Sequence, residues 1–410
     1  MTIAQLWECV ETGSRQLQAA KTGIDIAQQG VAHARAQRLP DIDLSLSASY
    51  IGNALLADRD MGNMHGLHSP HLGNSLAIEA QQVIYSGGAL TAAINMAETG
   101  RRQAATGVAL NRQQARFMAL GQYLDLYRTD NRIRVYEHNI ALTRQLIDEI
   151  RQRYQQGMAL QNDITRYELQ LEQLQLRLRQ ARDARAVTNH QLCNTLGLAQ
   201  ATTLQPDTTL TAKVCQREGE AYWQQRSATL SPLIEQGQLG IDMARHREQL
   251  AKSDLRPKVA MVAANNLNGP ITFELPPINK NLNVWYIGIG VKYSLGALYK
   301  SRRRVAQAQA ETLKAQQDLA VTQQSIDNRV NQAYTDYLQT YAELETQQKS
   351  VQLACQNYDV VSARYAGQLA LVTDMIDASN VKLSAELQEA DARIAIVYAY
   401  YRMKYIAGDI

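Results

Sequence analysis

Two Arg–Asp pairs recur at equal spacing and could do electrostatic work. Asp163 lies ten residues after Arg153, and Asp374 lies ten residues after Arg364. Each arginine opens a turn-like segment, Arg153-Tyr154-Gln155-Gln156-Gly157 in one case and Arg364-Tyr365-Ala366-Gly367 in the other. Each aspartate follows just past that turn. Asp377 stands three residues beyond Asp374, so on a helix the two carboxylates share a face. Carboxylates gathered around a narrow opening favour cations and repel anions. An ordinary role stands beside this one, because an aspartate in the first turn of a helix meets the positive end of the helix dipole. The residues alone leave both roles open.

A second grouping is Met64-His65-Gly66-Leu67-His68-Ser69-Pro70-His71, with Met61 nearby. His65, His68 and His71 with two thioethers could hold a soft or borderline metal ion, and a flexible polar loop would use the same residues. Nothing else suggests catalysis. Ser86-Gly87-Gly88 lacks the lysine and helix register of a phosphate loop, and suits a backbone bend better. No carboxylate pair has acid–base spacing in a cleft-like context. Neither an enzyme nor a cofactor is expected. The net charge of +3, with Arg302-Arg303-Arg304 as one short basic cluster, argues against nucleic acid as a partner.

The elements that position these groups are written twice. Arg153, Asp163 and Gly197 map onto Arg364, Asp374 and Gly408 at a constant offset of 211 residues, and Tyr123-Leu124-Asp125 maps onto Tyr334-Thr335-Asp336 in the same way. A repeat of that length is too long for a solenoid unit and describes a duplicated half-molecule. Residues 1–198 form the first repeat, 199–231 a linker and 232–410 the second repeat. Phe occurs only 2 times, Tyr 20 times and Pro 8 times. Such a balance suits long helices with a narrow apolar seam better than a thick core.

Just after Pro40 the chain alternates. Ile42, Leu44, Leu46, Ala48 and Tyr50 fall on one face, and Asp41, Asp43, Ser45, Ser47 and Ser49 on the other. A return strand is expected over 75–85, closing a hairpin within 40–86. In the second repeat a hairpin within 257–293 opens at Pro257, runs through Val262, and returns with Trp285, Ile287, Ile289, Val291 and Tyr293 on one face. Strands near ten residues with this dyad pattern match outer-membrane barrels. Amphipathic hairpins lying on a soluble core would also show it. Four strands cannot close a membrane barrel, so if these hairpins span a membrane several chains must contribute; a trimer would supply twelve strands and remove every sheet edge, as lipid requires.

Between the hairpins and the turns no proline interrupts 89–154 or 297–365. Each run of about 65 residues would extend roughly 100 Å. Val330, Tyr334, Tyr337, Tyr341, Leu344, Val351, Cys355 and Tyr358 follow steps of four and three, interrupted by Gln348, as a coiled-coil seam does. Shorter helices are expected over 160–196 and 371–406. No stretch approaches the roughly 20 apolar residues of a membrane-spanning helix. After Met1 a helical pattern begins at once, so the strands imply a targeting segment already removed. Of the four cysteines, Cys9, Cys193 and Cys215 could form one disulfide, and Cys355 sits in the seam.

The order helix, strand pair, very long helix, tight turn and helix, performed twice, resembles the TolC family of outer-membrane efflux proteins. Leu39-Pro40 opening the first strand, Tyr85-Ser86-Gly87-Gly88 entering the long helix, and the Arg-Tyr turn followed by Asp carry the likeness. The resemblance implies a mainly α fold with a small β part: a trimeric 12-stranded outer-membrane β-barrel continued by a long periplasmic α-helical barrel. It implies an exit duct for tripartite efflux or type I secretion, a homotrimer set in outer-membrane lipid. Its partners would be a periplasmic adaptor and an inner-membrane pump or exporter. Asp374, Asp377 and Asp163 are then expected at the pore constriction. Arg153, Tyr154, Gly157, Arg364, Tyr365 and Gly367 are expected at the tip turns where the adaptor docks. An arginine that latches the closed tip in some members has no counterpart at Ala370, and Arg364 or Arg166 would have to substitute. A soluble coiled-coil scaffold without channel activity is the other class the residues allow.

Overall fold

Alternation in the strands and a seam in the helices give the same plan twice. The computed structural model describes residues 1–207, 209 and 218–410. Among the described residues the first half contains α1 (Ile3–Gly13), α2 (Arg15–Ala36), β1 (Asp41–Tyr50), β2 (Ala54–Leu56), β3 (His65–Leu67), β4 (Leu72–Tyr85), α3 (Ala89–Gln155) and α4 (Gln161–Leu196). The second half contains α5 (Glu220–Leu230), α6 (Pro232–Ser253), β5 (Lys258–Gly269), β6 (Leu282–Lys292), α7 (Ala297–Ala366) and α8 (Val372–Ala407). Corresponding helices agree in length: 11 and 11 residues, 22 and 22, 67 and 70, 36 and 36.

The compact units do not follow the repeats. One unit gathers Met1–Gly23, Ala105–Gln236 and Leu319–Ile410; the other gathers Ile24–Ala104 and Gly237–Asp318. Each draws on both repeats, so the duplication is shared between units rather than divided by them.

The first unit is helical, and its cores are small and strung along the helices. Leu6 and Val10 of α1 bury against Leu120, Tyr123 and Leu124 of α3 and Leu192 and Leu196 of α4. The second repeat builds its own version from Trp223, Ile326, Val330, Tyr337, Met403 and Ile406. Along α7 the seam positions Val330 and Tyr337 are buried, Tyr334, Tyr341, Leu344, Val351, Cys355 and Tyr358 are half-buried, and Gln348 is exposed. The end of α4 meets the end of α1 so closely that a Cβ on Gly197 would collide with the Gly13 carbonyl, while its φ of 67° excludes most side chains in any case.

Cys9, Cys193 and Cys355 are free thiols. Cys193 is fully buried, donates to the Thr202 carbonyl at 3.4 Å, and has its thiol pKa raised by burial. A Cys9–Cys193 disulfide is therefore not formed, and Cys215 lies outside the described residues.

The second unit holds the sheet. Among the described residues it is antiparallel and four-stranded, in the order β1-β4-β5-β6. Strand β4 begins three residues earlier than the alternation suggests, and β5 runs on to Gly269, past Val262. Register aligns Leu44 with Ile78, Ile78 with Asn265, and Asn265 with Trp285 on one face; Ser45, Ala77, Asn266 and Val284 line up on the other. The apolar face covers no protein: Leu46 is 78% exposed and Trp285 74%. Strands β1 and β6 are the open edges among the described residues.

Such a sheet is unfavourable in water on two counts. It presents a contiguous apolar face and two rows of unpaired backbone groups. Hydrocarbon would remove the first cost, at about 1.5–3 kcal/mol per buried Leu or Ile side chain. A neighbouring strand at each edge would remove the second. No helix among the described residues is long and apolar enough to cross a membrane.

Candidate gate at the two reversal turns

The long helices end in matching turns. In the first, the Met158 amide donates to the Arg153 carbonyl at 2.8 Å and the Gly157 amide to the Tyr154 carbonyl at 3.0 Å. In the second, Leu369 donates to Arg364 at 2.8 Å and Gln368 to Tyr365 at 3.1 Å. Both are Schellman motifs, which satisfy the last carbonyls of the helix and need a left-handed residue just after it. Gly157 fills that position with φ 76°, and Gln368 fills it in the second turn with φ 61°. Structurally, Gly157 thus corresponds to Gln368, and Gly367 lies one residue before the left-handed position.

Asp163 and Asp374 begin the returning helices. The Asp163 carboxylate accepts the Leu160 amide at 3.1 Å, and that of Asp374 accepts the Leu371 amide at 3.0 Å. Each reaches back from the third helical position to satisfy an orphan amide, as the acidic half of a capping box does. The leucine before each helix supplies no side-chain cap of its own. Asp163 is half-buried, whereas Asp374 and Asp377 are exposed on successive turns of α8. Capping engages one oxygen of Asp374 and leaves the carboxylate open to solvent.

Between the turns lies a small apolar cluster of Ile147, Ile150, Ile164, Tyr167, Val372 and Met375, flanked by Tyr358 and Tyr365. The Arg153 guanidinium lies over the Tyr365 ring, 5.5 Å from its centroid, and donates to the Tyr365 carbonyl at 3.5 Å. Burial raises the Tyr365 phenol pKa; the nearby charges of Asp163 and Glu149 add to this and Arg153 opposes it. Tyr358 shifts the same way, first from burial and then from Asp359 and Glu149, and Lys382 sits 4.6 Å from its ring centroid. Tyr167 is shifted furthest, by burial and then by Tyr365, Tyr358 and Asp163, and its buried hydroxyl has no hydrogen-bond partner among the described residues. Arg364 is engaged locally, donating to the Leu369 carbonyl at 3.4 Å, while Arg166 and Tyr154 are exposed.

The structure thus brings Arg153, Asp163 and Tyr365 together and leaves Asp374 and Asp377 facing solvent. Tyr167, Tyr358, Glu149 and Lys382 were not singled out from the sequence. The spacing of Ile164, Tyr167 and Leu171 marks a buried helical stripe, and that signal would have placed Tyr167 in it.

The sequence profile of the outer membrane efflux protein family matches two segments, residues 10–198 and 223–409. The chain belongs to the outer membrane efflux protein family. The two matched segments coincide with the two copies of the helix, strand and long-helix plan.

Among solved structures, the outer-membrane channel OprN is similar at 14% identity and a TM-score of 0.80, the match covering 100% of this chain and 90% of OprN. The outer membrane protein VceC of Vibrio cholerae is similar at 15% identity and a TM-score of 0.79, covering 99% of this chain and 96% of VceC. The MtrE outer membrane channel of Neisseria gonorrhoeae, solved in its open state, gives 13% identity and a TM-score of 0.78, covering 99% of this chain and 88% of MtrE. No curated protein matches the chain by sequence. As a member of the efflux family this is an outer-membrane protein with a periplasmic extension, and its mainly helical fold with a small antiparallel sheet is that of the family's channels.

Proposed function

We propose that this efflux-family protein is the exit duct of a tripartite efflux or type I secretion system. Three chains close a 12-stranded barrel in the outer membrane, and their long helices line a passage to the periplasm. Substrate passes without chemistry from a periplasmic adaptor and an inner-membrane pump or exporter. The observation that carries this reading is the sheet with an exposed apolar face and open edges at β1 and β6. A soluble coiled-coil scaffold would leave both uncovered.

In this reading Asp374 and Asp377, with Asp163, ring the narrowest opening. The exposure of Asp374 and Asp377 on adjacent turns supports it. Arg153, Tyr154, Gly157, Arg364, Tyr365 and Gly367 shape the turns that meet the adaptor. Arg153 on Tyr365 takes the place of the latch that Ala370 cannot supply, by holding the two turns of one chain together.

Single-channel recording tests the gate. Asp374→Asn with Asp377→Asn should weaken cation preference and relieve block by multivalent cations, because six carboxylates leave a trimer. The difference should shrink in 1 M salt, where the Debye length falls to roughly 3 Å. Asp163→Asn should act mainly on the stability of α4, since its carboxylate caps that helix. Unchanged selectivity in the double variant would move the constriction elsewhere.

A further inference from the structure

The connection from β1 to β4 is not a simple loop. Strands β2 and β3 pair within it, with Leu56 opposite His65 and Ala54 opposite Leu67. Beyond β3 the chain is tied back: the Ser69 amide donates to Asn53 Oδ1 at 3.3 Å, and the Ile51 amide donates to the His71 carbonyl at 2.9 Å. These ties fix the backbone that carries His68 and His71.

His71 is oriented as metal-binding imidazoles are. Its Nδ1 lies 2.8 Å from the Ile51 carbonyl, and its ring stacks on Tyr50 at 5.1 Å between centroids with 12° between planes. A carbonyl only accepts, so Nδ1 carries the proton in the neutral ring and Nε2 keeps its lone pair. A carbonyl behind the ring in this way fixes the tautomer and the orientation of a ligating histidine. The His68 ring lies 5.3 Å away, nearly perpendicular at 82°. With metal–nitrogen bonds of about 2 Å, each ring centroid sits ~3.2 Å from the ion, so angles from the cis tetragonal of Cu²⁺ to the tetrahedral of Zn²⁺ set two centroids roughly 4.5–5.2 Å apart. The observed spacing matches.

We propose that His68 and His71 form a two-imidazole site for a borderline divalent transition-metal ion, binding Cu²⁺ more tightly than Zn²⁺. The preference follows the general order of affinity for nitrogen donors. Among the described residues no group of three or more His, Cys, Asp or Glu gathers here, so water completes the coordination and the site stays open. His65 lies on β3, opposite Leu56, outside the pair. The site does not depend on the duct reading, since it uses residues of a single hairpin connection.

The test is Cu²⁺ titration of the full chain in detergent, purified without a residual affinity tag, by calorimetry and electron paramagnetic resonance. One Cu²⁺ per chain should bind, with imidazole nitrogen couplings in the spectrum, and Zn²⁺ should compete at higher concentration. His68→Ala and His71→Ala should each weaken binding at least tenfold, and His65→Ala should leave it within twofold. The wild-type spectrum provides a check that needs no variant. A spectrum without nitrogen coupling, or undiminished binding in the His68→Ala, His71→Ala double variant, would overturn the assignment.

Discussion

Arg153, at the end of the first long helix, lies over the ring of Tyr365, at the end of the second, with 5.5 Å between the guanidinium carbon and the ring centroid. It also donates to the Tyr365 carbonyl at 3.5 Å. One side chain thereby joins the two reversal turns through a cation–π contact and a backbone acceptor. The contact is asymmetric: Arg364, the counterpart of Arg153, folds back onto its own turn at Leu369.

Arg153→Met, which keeps the aliphatic stem, should release this link at a cost of about 0.5–1 kcal/mol. Hydrogen exchange should quicken at the amides of 156–158 and 367–369 while the middle of both long helices stays protected. Equal protection in the variant would show that the turns hold without the arginine.

The left-handed Gln368 predicts a gain from one substitution. A non-glycine residue in this region costs roughly 1–2 kcal/mol, so Gln368→Gly should stabilise the second turn by about 1 kcal/mol. Gly157→Gln should destabilise the first by a similar amount. Denaturant midpoints of the helical region check both signs, and opposite shifts are expected.

The tyrosines at the turns make the reversal turns sensitive to alkali. Burial raises the phenol pKa values of Tyr167, Tyr358 and Tyr365, so the folded state holds these protons more tightly than the unfolded chain. Their contribution is fully present below about pH 10, the ordinary tyrosine value, and is lost as pH rises through the folded values. Tyrosinate absorbance should appear late and together with loosening of the turns. Tyr167→Phe should remove a buried hydroxyl that lacks a partner among the described residues, stabilise by about 1 kcal/mol, and reduce the alkaline loss.

Arginine scanning separates the two faces of the sheet. Leu44→Arg and Ile287→Arg place charge on the apolar face and should cost about 2–4 kcal/mol if these positions lie near the bilayer midplane. Ser45→Arg and Gly288→Arg place it on the other face and should be tolerated better. Yield of membrane-assembled protein reads the difference, and equal damage at all four would refute the assignment of faces.

The fold class was legible because both of its periods are strong. Alternation from Ile42 to Tyr50 can only be a strand with one apolar face, and the proline-free runs with steps of three and four can only be long helices. The extent of β5 was harder to read, because Asn265, Asn266 and Asn268 interrupt its apolar pattern although they pair normally with β4. The pairing of β2 with β3 escaped notice because three-residue strands carry almost no periodicity. At the turns, Arg153 and Asp163 stood out by type and spacing. Their connection to Tyr365 depends on how two segments about two hundred residues apart come together, which no local pattern records. The exposed carboxylates of Asp374 and Asp377 were visible in sequence as a shared helical face.

Closure of the sheet by neighbouring chains is the central claim, and cross-linking between its open edges tests it most directly. With the native cysteines replaced, single cysteines at 42, 44 or 46 on β1 would be combined with cysteines at 287 or 289 on β6 and oxidised in isolated outer membranes. Edge strands that meet between chains should give covalent dimers and trimers for at least one register, all dissociated by reductant. Monomers alone across every pairing, from protein that has reached the outer membrane, would contradict the account.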